Sequence, residues 1–215
     1  EDTMRVINGY LPDVIVIRHP QDGAALRAAV VSDAPVINAG DGSNQHPTQA
    51  LLDLYTIQSE LGRIDNLRVG FVGDLKKGRT VRSLAYLLSQ LDGNELFFVS
   101  PPQLAAEDDI RQHLRERSVR FTETEDLYHV LPEVDVLYVT RLQKERHQAG
   151  LSGGYYVLDS GNISMLKEKS IVMHPLPRNA EIYPAIDSDK RAAYFRQSAN
   201  GLYVRMALLC RVLGQ

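Results

Sequence analysis

A few polar side chains in this sequence are of the right type and setting to act together on a small anion: Arg18, His46, Gln49, Arg79, Arg141, Gln143 and His174. Arg18 and His19 follow the apolar run Val14-Ile15-Val16-Ile17, Arg141 and Gln143 follow the run ending at Val139, and His174 follows Met173. His46 and Gln49 bracket the first turn of a helix expected after Asn44, and Arg79 stands at the start of another. Arginine grips carboxylate or phosphate through two parallel hydrogen bonds, and a helix N-terminus adds unpaired N–H groups and a favourable dipole. Each residue alone has a plainer reading, since a His-Pro dipeptide is commonly a turn and an arginine after a strand is commonly a solvated charge. Their convergence at strand ends and helix starts favours a cationic site for a small anionic molecule.

Other chemistries find less support. No histidine-cysteine spacing suits zinc, the three His-Pro dipeptides are too scattered for a metal site, and no Gly-x-Ser-x-Gly elbow occurs. The segment Gly73-Asp74-Leu75-Lys76-Lys77-Gly78-Arg79-Thr80 is one residue away from a nucleotide phosphate loop, with Arg79 where the lysine belongs. Asp74 would set a carboxylate near bound phosphates, and its two glycines are equally consistent with a tight turn and a close helix approach. The remaining reading is a metal-free cationic site that stabilises charge developing during transfer from a phosphorylated donor.

The elements that must position these residues can be read from periodicity. Val14–Ile17, Pro35–Ile37, Arg68–Val72, Leu96–Val99, Val134–Val139 and Ile171–Met173 read as short buried strands. Pro47 to Leu61 reads as a helix with proline in its first turn, Gly62 as its stop, and Ala50, Leu54, Ile57 and Leu61 on one face. Val81, Leu84, Leu88 and Leu91 mark another, ended by Asp92-Gly93, and Glu1 to Met4 reads as the capped start of a further one. The last helix, about Arg196 to Leu213, is expected to bury Leu202, Met206, Leu209 and Leu213. Regular alternation of continuous apolar strands with helices argues for parallel sheets covered on both faces, with ligands bound beyond the carboxyl ends of the strands. Gln148 to Gly154 reads as a loop able to move on binding.

Length and composition set the outer bounds. The 215 residues suffice for two α/β lobes, and 44% hydrophobic with 24% charged residues is ordinary for a globular chain. A formal net charge of -3 gives no general pull toward nucleic acid or an anionic membrane. The single cysteine, Cys210, lies in an apolar run and is expected to be buried and inert. One thiol without an intrachain partner suits a reducing compartment.

The runs His46-Pro47-Thr48-Gln49-Ala50-Leu51-Leu52-Asp53, Gly73-Asp74-Leu75-Lys76 with Gly78-Arg79-Thr80-Val81, Arg141-Leu142-Gln143-Lys144-Glu145-Arg146 and His174-Pro175-Leu176-Pro177-Arg178 resemble the aspartate carbamoyltransferases. Ornithine carbamoyltransferases share the His-Pro-x-Gln signature. They carry His-Cys-Leu-Pro where this chain has His174-Pro175-Leu176-Pro177, however, and their Ser-Met-Gly element is absent here. The resemblance implies an α/β fold of two parallel-sheet, three-layer lobes, the first incomplete. Residues 1–59 with 197–215 would bind carbamoyl phosphate and residues 60–196 would bind aspartate. Arg18, His46 and Gln49 would hold carbamoyl phosphate, Arg18 and His46 catalytically, by donating to the carbonyl oxygen. Arg79, Arg141 and Gln143 would hold the two carboxylates of aspartate. The backbone at Pro175 and Leu176 would contact the reacting groups, and Leu176-Pro177 is a candidate cis peptide.

The same resemblance implies a cytoplasmic homotrimer with shared sites, acting early in pyrimidine biosynthesis without metal or cofactor, and with no nucleic acid or membrane partner. Regulatory chains or other pyrimidine enzymes are its further candidate partners. Lys77 and Arg82 would add charge beside Arg79, either solvated or assisting anion capture. Members of the family begin with a strand, a Ser-x-Arg-Thr-type phosphate loop and a mobile loop that lends a serine and a lysine to the neighbouring subunit, and these do not precede Glu1. The stretch from His147 to Gly154 is also short for a loop that closes over aspartate. Weak turnover by this span is therefore expected, and a carbamoyltransferase-like subunit without catalysis is the alternative.

Overall fold

The computed structural model describes residues 1–141 and 156–215. Gln143 and the segment expected to move, 148–154, lie outside the described residues.

Two parallel sheets organise the chain. The smaller pairs β1 (Ile15–His19) with β2 (Val36–Asp41), flanked by α1 (Asp2–Asn8) and α2 (Ala24–Val31). The strand expected to stop at Ile17 runs on to His19, so Arg18 belongs to the strand rather than to the loop after it. Ile15, Met4 and Ala28 form the buried centre of this part. The helix α3 (Pro47–Leu61) has the expected bounds, with Gly62 in the left-handed conformation at its C-cap. It packs on β2 and also on α4 (Arg79–Leu88) and α7 (Tyr194–Val212), so it bridges the two parts of the chain.

The larger sheet contains β3 (Arg68–Val72), β4 (Glu95–Val99), β5 (Arg120–Thr124), β6 (Val136–Val139) and β7 (Ile171–Met173), all parallel, in the order β5-β4-β3-β6-β7. Side chains alternate across it with a period of two. Val69, Phe71, Leu96, Phe98, Val136, Tyr138, Ile171 and Met173 face α3, α4 and α5 (Asp108–Glu116). Val72, Phe97, Val99, Leu137, Val139 and Val172 face α6 (Leu127–Val130) and the irregular segments on either side of β7, Leu158 to Leu166 and Ile182 to Ile186. Both faces are therefore covered, as the near-continuous apolar strands require.

β5 is absent from the periodicity reading. Arg-Phe-Thr-Glu-Thr has no apolar run, because β5 is an edge strand with one neighbour and a largely solvated surface. The last helix differs from expectation in its buried face. Leu202 and Met206 are 61% and 54% exposed, Leu213 is exposed and Leu209 half-buried, while Tyr194, Gln197 and Gly201 are buried. The helix meets α3 at Gly201, where an added Cβ would come within 3.2 Å of Leu52 Cδ2. Helical period alone indicates that a face is apolar, not that this chain covers it. Cys210, on the same helix, is exposed rather than buried.

Candidate active site

In the large sheet the chain turns one way from β3 through β4 to β5 and the other way to β6 and β7, so the topological switch point lies between β3 and β6. The carboxyl ends of these two strands touch. Gly73 has φ +117°, and a Cβ there would fall 2.3 Å from the carbonyl oxygen of Thr140. Arg79 and Arg141 emerge from this point, one at the start of α4 and the other directly after Thr140.

Arg79 reaches across to the small sheet. Its Nη1 donates to the carbonyl of Gly42 at 3.1 Å, and its guanidinium lies against Gly40, where a Cβ would sit 2.7 Å from Cζ. The turn after β2 is held by Asp41. This carboxylate accepts from Gly23 N at 2.7 Å, Asn38 Nδ2 at 2.9 Å, Asn44 Nδ2 at 3.1 Å and Gln45 N at 3.2 Å. Burial pushes its pKa up, but the four donors together hold it below the ordinary carboxylate value. The turn delivers His46 to the N-cap of α3, where its N–H donates to Ser83 Oγ of α4 at 2.8 Å.

A cavity of about 280 Å³ opens between the two sheets, and all the expected site residues among those described line it: Arg18, His46, Gln49, Arg79, Arg141, Pro175 and Leu176. Gln143 lies outside the described residues. Thr80, His174, Pro177 and Arg205 complete the wall. Four arginines and no carboxylate line the cavity among the described residues, so it favours anions. Arg205 escaped the sequence reading because it lies within the apolar pattern of the last helix. Its one signal is Gly201, where a Cβ would come within 2.4 Å of Arg205 Nη1.

His174 shapes the wall through its ring. Nδ1 accepts from the N–H of Leu176 at 2.8 Å, so Nε2 carries the proton that faces Glu181 Oε1, also at 2.8 Å. Burial opposes ionisation of Glu181, but the hydrogen bonds from His174 and from backbone N–H groups leave its pKa lowered. The Leu176-Pro177 bond is cis, as expected.

Two expectations about neighbouring residues are resolved here. Arg82 is buried and pairs with Asp109 and with Glu107, the latter at 2.6 Å, while Lys77 Nζ lies 3.5 Å from Glu107. These charges are engaged by α5 and its approach and do not line the cavity. In the segment Gly73 to Thr80, the buried Asp74 accepts the Lys77 N–H at 2.9 Å, and a Cβ on Gly78 would lie 2.3 Å from the Asp74 carbonyl oxygen. The glycines thus serve close packing, and the loop turns a carboxylate onto its own backbone instead of presenting N–H groups to phosphate.

Sequence reasoning also missed a buried cluster behind the cavity. Asp53 is fully buried and accepts three hydrogen bonds: Gln49 Nε2 at 2.8 Å, Gln197 Nε2 at 2.6 Å and Tyr138 OH at 2.8 Å. Burial pushes its carboxyl up to about 7 against the opposing pull of Gln197, Tyr138, Gln49 and Arg205. Tyr138 is raised well above its ordinary value by burial and by the Asp53 charge. The signal available in the sequence was Asp53 itself, four residues after Gln49 and hence on the same helical face.

Fold and site together define a doubly wound α/β protein with a strongly cationic crevice at its switch point, built for a small polyanion. Comparison with known proteins makes the class specific. The carbamoyl-P binding domain of the aspartate/ornithine carbamoyltransferases matches residues 1–59, and their Asp/Orn binding domain matches residues 65–212. The chloroplastic aspartate carbamoyltransferase of Oryza sativa subsp. japonica is 50% identical over 214 residues, covering 97% of this chain and 59% of the relative. The aspartate carbamoyltransferase catalytic subunit of Methanocaldococcus jannaschii is 50% identical over 217 residues, covering 99% of this chain and 70% of the relative. The crystal structure of the Methanocaldococcus jannaschii catalytic subunit superposes with a TM-score of 0.89 at 49% identity, over 99% of this chain and 70% of that one. The Trypanosoma cruzi aspartate transcarbamoylase bound to N-(phosphonacetyl)-L-aspartic acid superposes with a TM-score of 0.88 at 43% identity, over 97% of this chain and 69% of that one. The chain belongs to the aspartate/ornithine carbamoyltransferase family, in its aspartate carbamoyltransferase branch. It spans 59% of the length of the Oryza relative and 55% of that of the first Pisum sativum relative.

Proposed function

We propose that this protein transfers the carbamoyl group of carbamoyl phosphate to the amine of L-aspartate, giving N-carbamoyl-L-aspartate and phosphate. The observation that carries this reading is the cavity in which arginines from both parts of the chain converge with His46 and the Gln49 amide. Phosphate and the two carboxylates of aspartate are anions at opposite ends of the reacting pair, and a cleft with arginines on both walls suits a ligand charged at both ends.

In this reading residues 1–59 with 197–215 form the lobe for carbamoyl phosphate, and residues 60–196 form the lobe for aspartate. The neutral amine attacks the carbamoyl carbon, its electron pair forming the C–N bond while the carbonyl π pair moves onto oxygen. Arg18 and His46 donate to that oxygen, where charge develops. The oxyanion then collapses, the C–O bond to phosphate breaks, and the departing phosphate takes the amine proton. Arg79 and Arg141 clamp the aspartate carboxylates, supplying proximity and orientation, and Gln143 is assigned to the same group. No metal, cofactor or covalent enzyme intermediate enters these steps. A homotrimer with shared sites, a cytoplasmic setting and a place in pyrimidine synthesis belong to the same proposal.

The test is thermal unfolding with ligands. N-(phosphonacetyl)-L-aspartate at a hundredfold excess over its dissociation constant should stabilise the chain by about 2.7 kcal/mol, and ATP should give no comparable shift. Stabilisation by ATP without stabilisation by the phosphonate would overturn the assignment in favour of a nucleotide site.

A further inference from the structure

The buried cluster behind the cavity fixes something that the arginines do not: which end of an amide a ligand meets. Gln49 is 8% exposed, lines the cavity and gives its Nε2 to Asp53 Oδ1. A side-chain amide can be turned over with little change in shape, and only its hydrogen-bond partners decide which atom faces where. An ionised carboxylate has no proton to donate, so Asp53 admits only the nitrogen of Gln49. It constrains Gln197 in the same way. The Nε2 of Gln197 faces Asp53 Oδ1 at 2.6 Å, and its Oε1 is thereby left to accept the N–H of His174 at 2.8 Å. The two amides are mutually consistent in this one arrangement. Oε1 of Gln49 makes no hydrogen bond to a described residue, and among the described residues no buried side-chain oxygen lacks a partner, so this oxygen is accessible at the cavity wall.

We infer that Asp53 is a positioning residue that locks the Gln49 amide with its oxygen available to the ligand, so that the cavity selects a hydrogen-bond donor, an NH₂, at that point. This rests on the reading that the cavity takes carbamoyl phosphate, whose carbamoyl group carries such an NH₂ beside its carbonyl. The lock does not depend on the charge of Asp53. Both glutamines use Oδ1, whereas Tyr138 uses Oδ2, so a proton taken up on Oδ2 can be donated to the Tyr138 oxygen while Oδ1 still accepts. Asparagine at this position reproduces that protonated form, with its carbonyl in place of Oδ1 and its NH₂ in place of the protonated Oδ2. Alanine removes the lock. Among the described residues, the charged or titratable groups facing Asp53 are Tyr138 from β6 and Arg205 from α7, with the Thr80 hydroxyl of α4 hydrogen-bonded to Tyr138.

The test compares two stable phosphonates by titration calorimetry. Phosphonoacetamide carries the NH₂, and phosphonoacetone carries a methyl group in its place. The wild-type chain should prefer the amide by about tenfold or more, since a site built to pair a donor penalises the analogue that lacks it. Asp53→Asn should keep the preference, and Asp53→Ala should reduce it to less than about threefold. A merely structural role for Asp53 would weaken both ligands alike and leave their ratio intact. Equal binding of the two phosphonates by wild type, a preference retained in Asp53→Ala, or one lost in Asp53→Asn would each overturn the inference while leaving the function assignment standing. Wild type that binds neither overturns both.

Should Asp53→Ala fail to fold, the side-chain NH₂ signals of Gln49 can be followed by NMR in the wild-type chain. They should move as Asp53 titrates around pH 7, and signals that ignore that titration would refute the contact.

Discussion

Asp53→Asn should change how the stability of this chain depends on pH, and the structure supplies the magnitude. Asp53 is wholly buried, and burial moves its carboxyl from 3.8 to about 7 although three donors and Arg205 pull the other way. In the unfolded chain the group ionises near its ordinary value. Folding at an intermediate pH therefore takes up a proton. The contribution of Asp53 to stability is fully present below the unfolded value and is lost as pH rises through about 7. The whole effect is about 4 kcal/mol, of which roughly 2.7 kcal/mol falls between about pH 5 and pH 8. Carboxylates whose pKa values are lowered by folding, such as Asp41, Glu181 and Asp187, act in the opposite sense and at lower pH. They are common to both proteins and cancel in the difference. Urea unfolding of wild type and Asp53→Asn at several pH values across that window is the assay. Wild type should lose roughly 2–3 kcal/mol relative to the variant from the acid end to the alkaline end, leaving the variant the more stable near pH 8. A difference between the two proteins that stays constant across the window would refute the assignment of a buried, raised carboxyl.

Three further perturbations separate the roles proposed for Arg141 and His46 and probe the turn at the switch point. In a turnover-competent form of the protein, Arg141→Ala should chiefly raise the KM for aspartate, at about 2–5 kcal/mol for stripping one partner from a desolvated charge pair. His46→Ala should chiefly lower kcat, by about a hundredfold or more. Small, equal effects of both changes on both parameters would mark these residues as structural. Gly73→Ala places a Cβ 2.3 Å from the Thr140 carbonyl at φ +117°. It should destabilise the chain by at least about 1–3 kcal/mol in denaturant unfolding, and unchanged stability would mean that β3 and β6 do not meet as described.

The sequence by itself determined the local elements and the chemistry of their ends. Proline at the first turn and glycine at the stop set α3, and the apolar runs of β3, β4, β6 and β7 could be seen because strands buried on both faces are continuously apolar. Arg18, His46, Gln49, Arg79 and Arg141, which line the cavity, could be picked out for a related reason, since strand ends and helix starts are where a parallel fold exposes polar groups. Three matters needed the tertiary structure. The edge strand β5 has no buried residue and so carries no apolar signature. The face that α7 buries depends on what lies against it, and Gly201 rather than Leu202 or Met206 meets α3. The Asp53 cluster joins residues up to 144 positions apart in the chain. No local pattern reports that Tyr138 and Gln197 close over a carboxylate from α3, because the energy of burying that charge is set by the three-dimensional arrangement of donors around it.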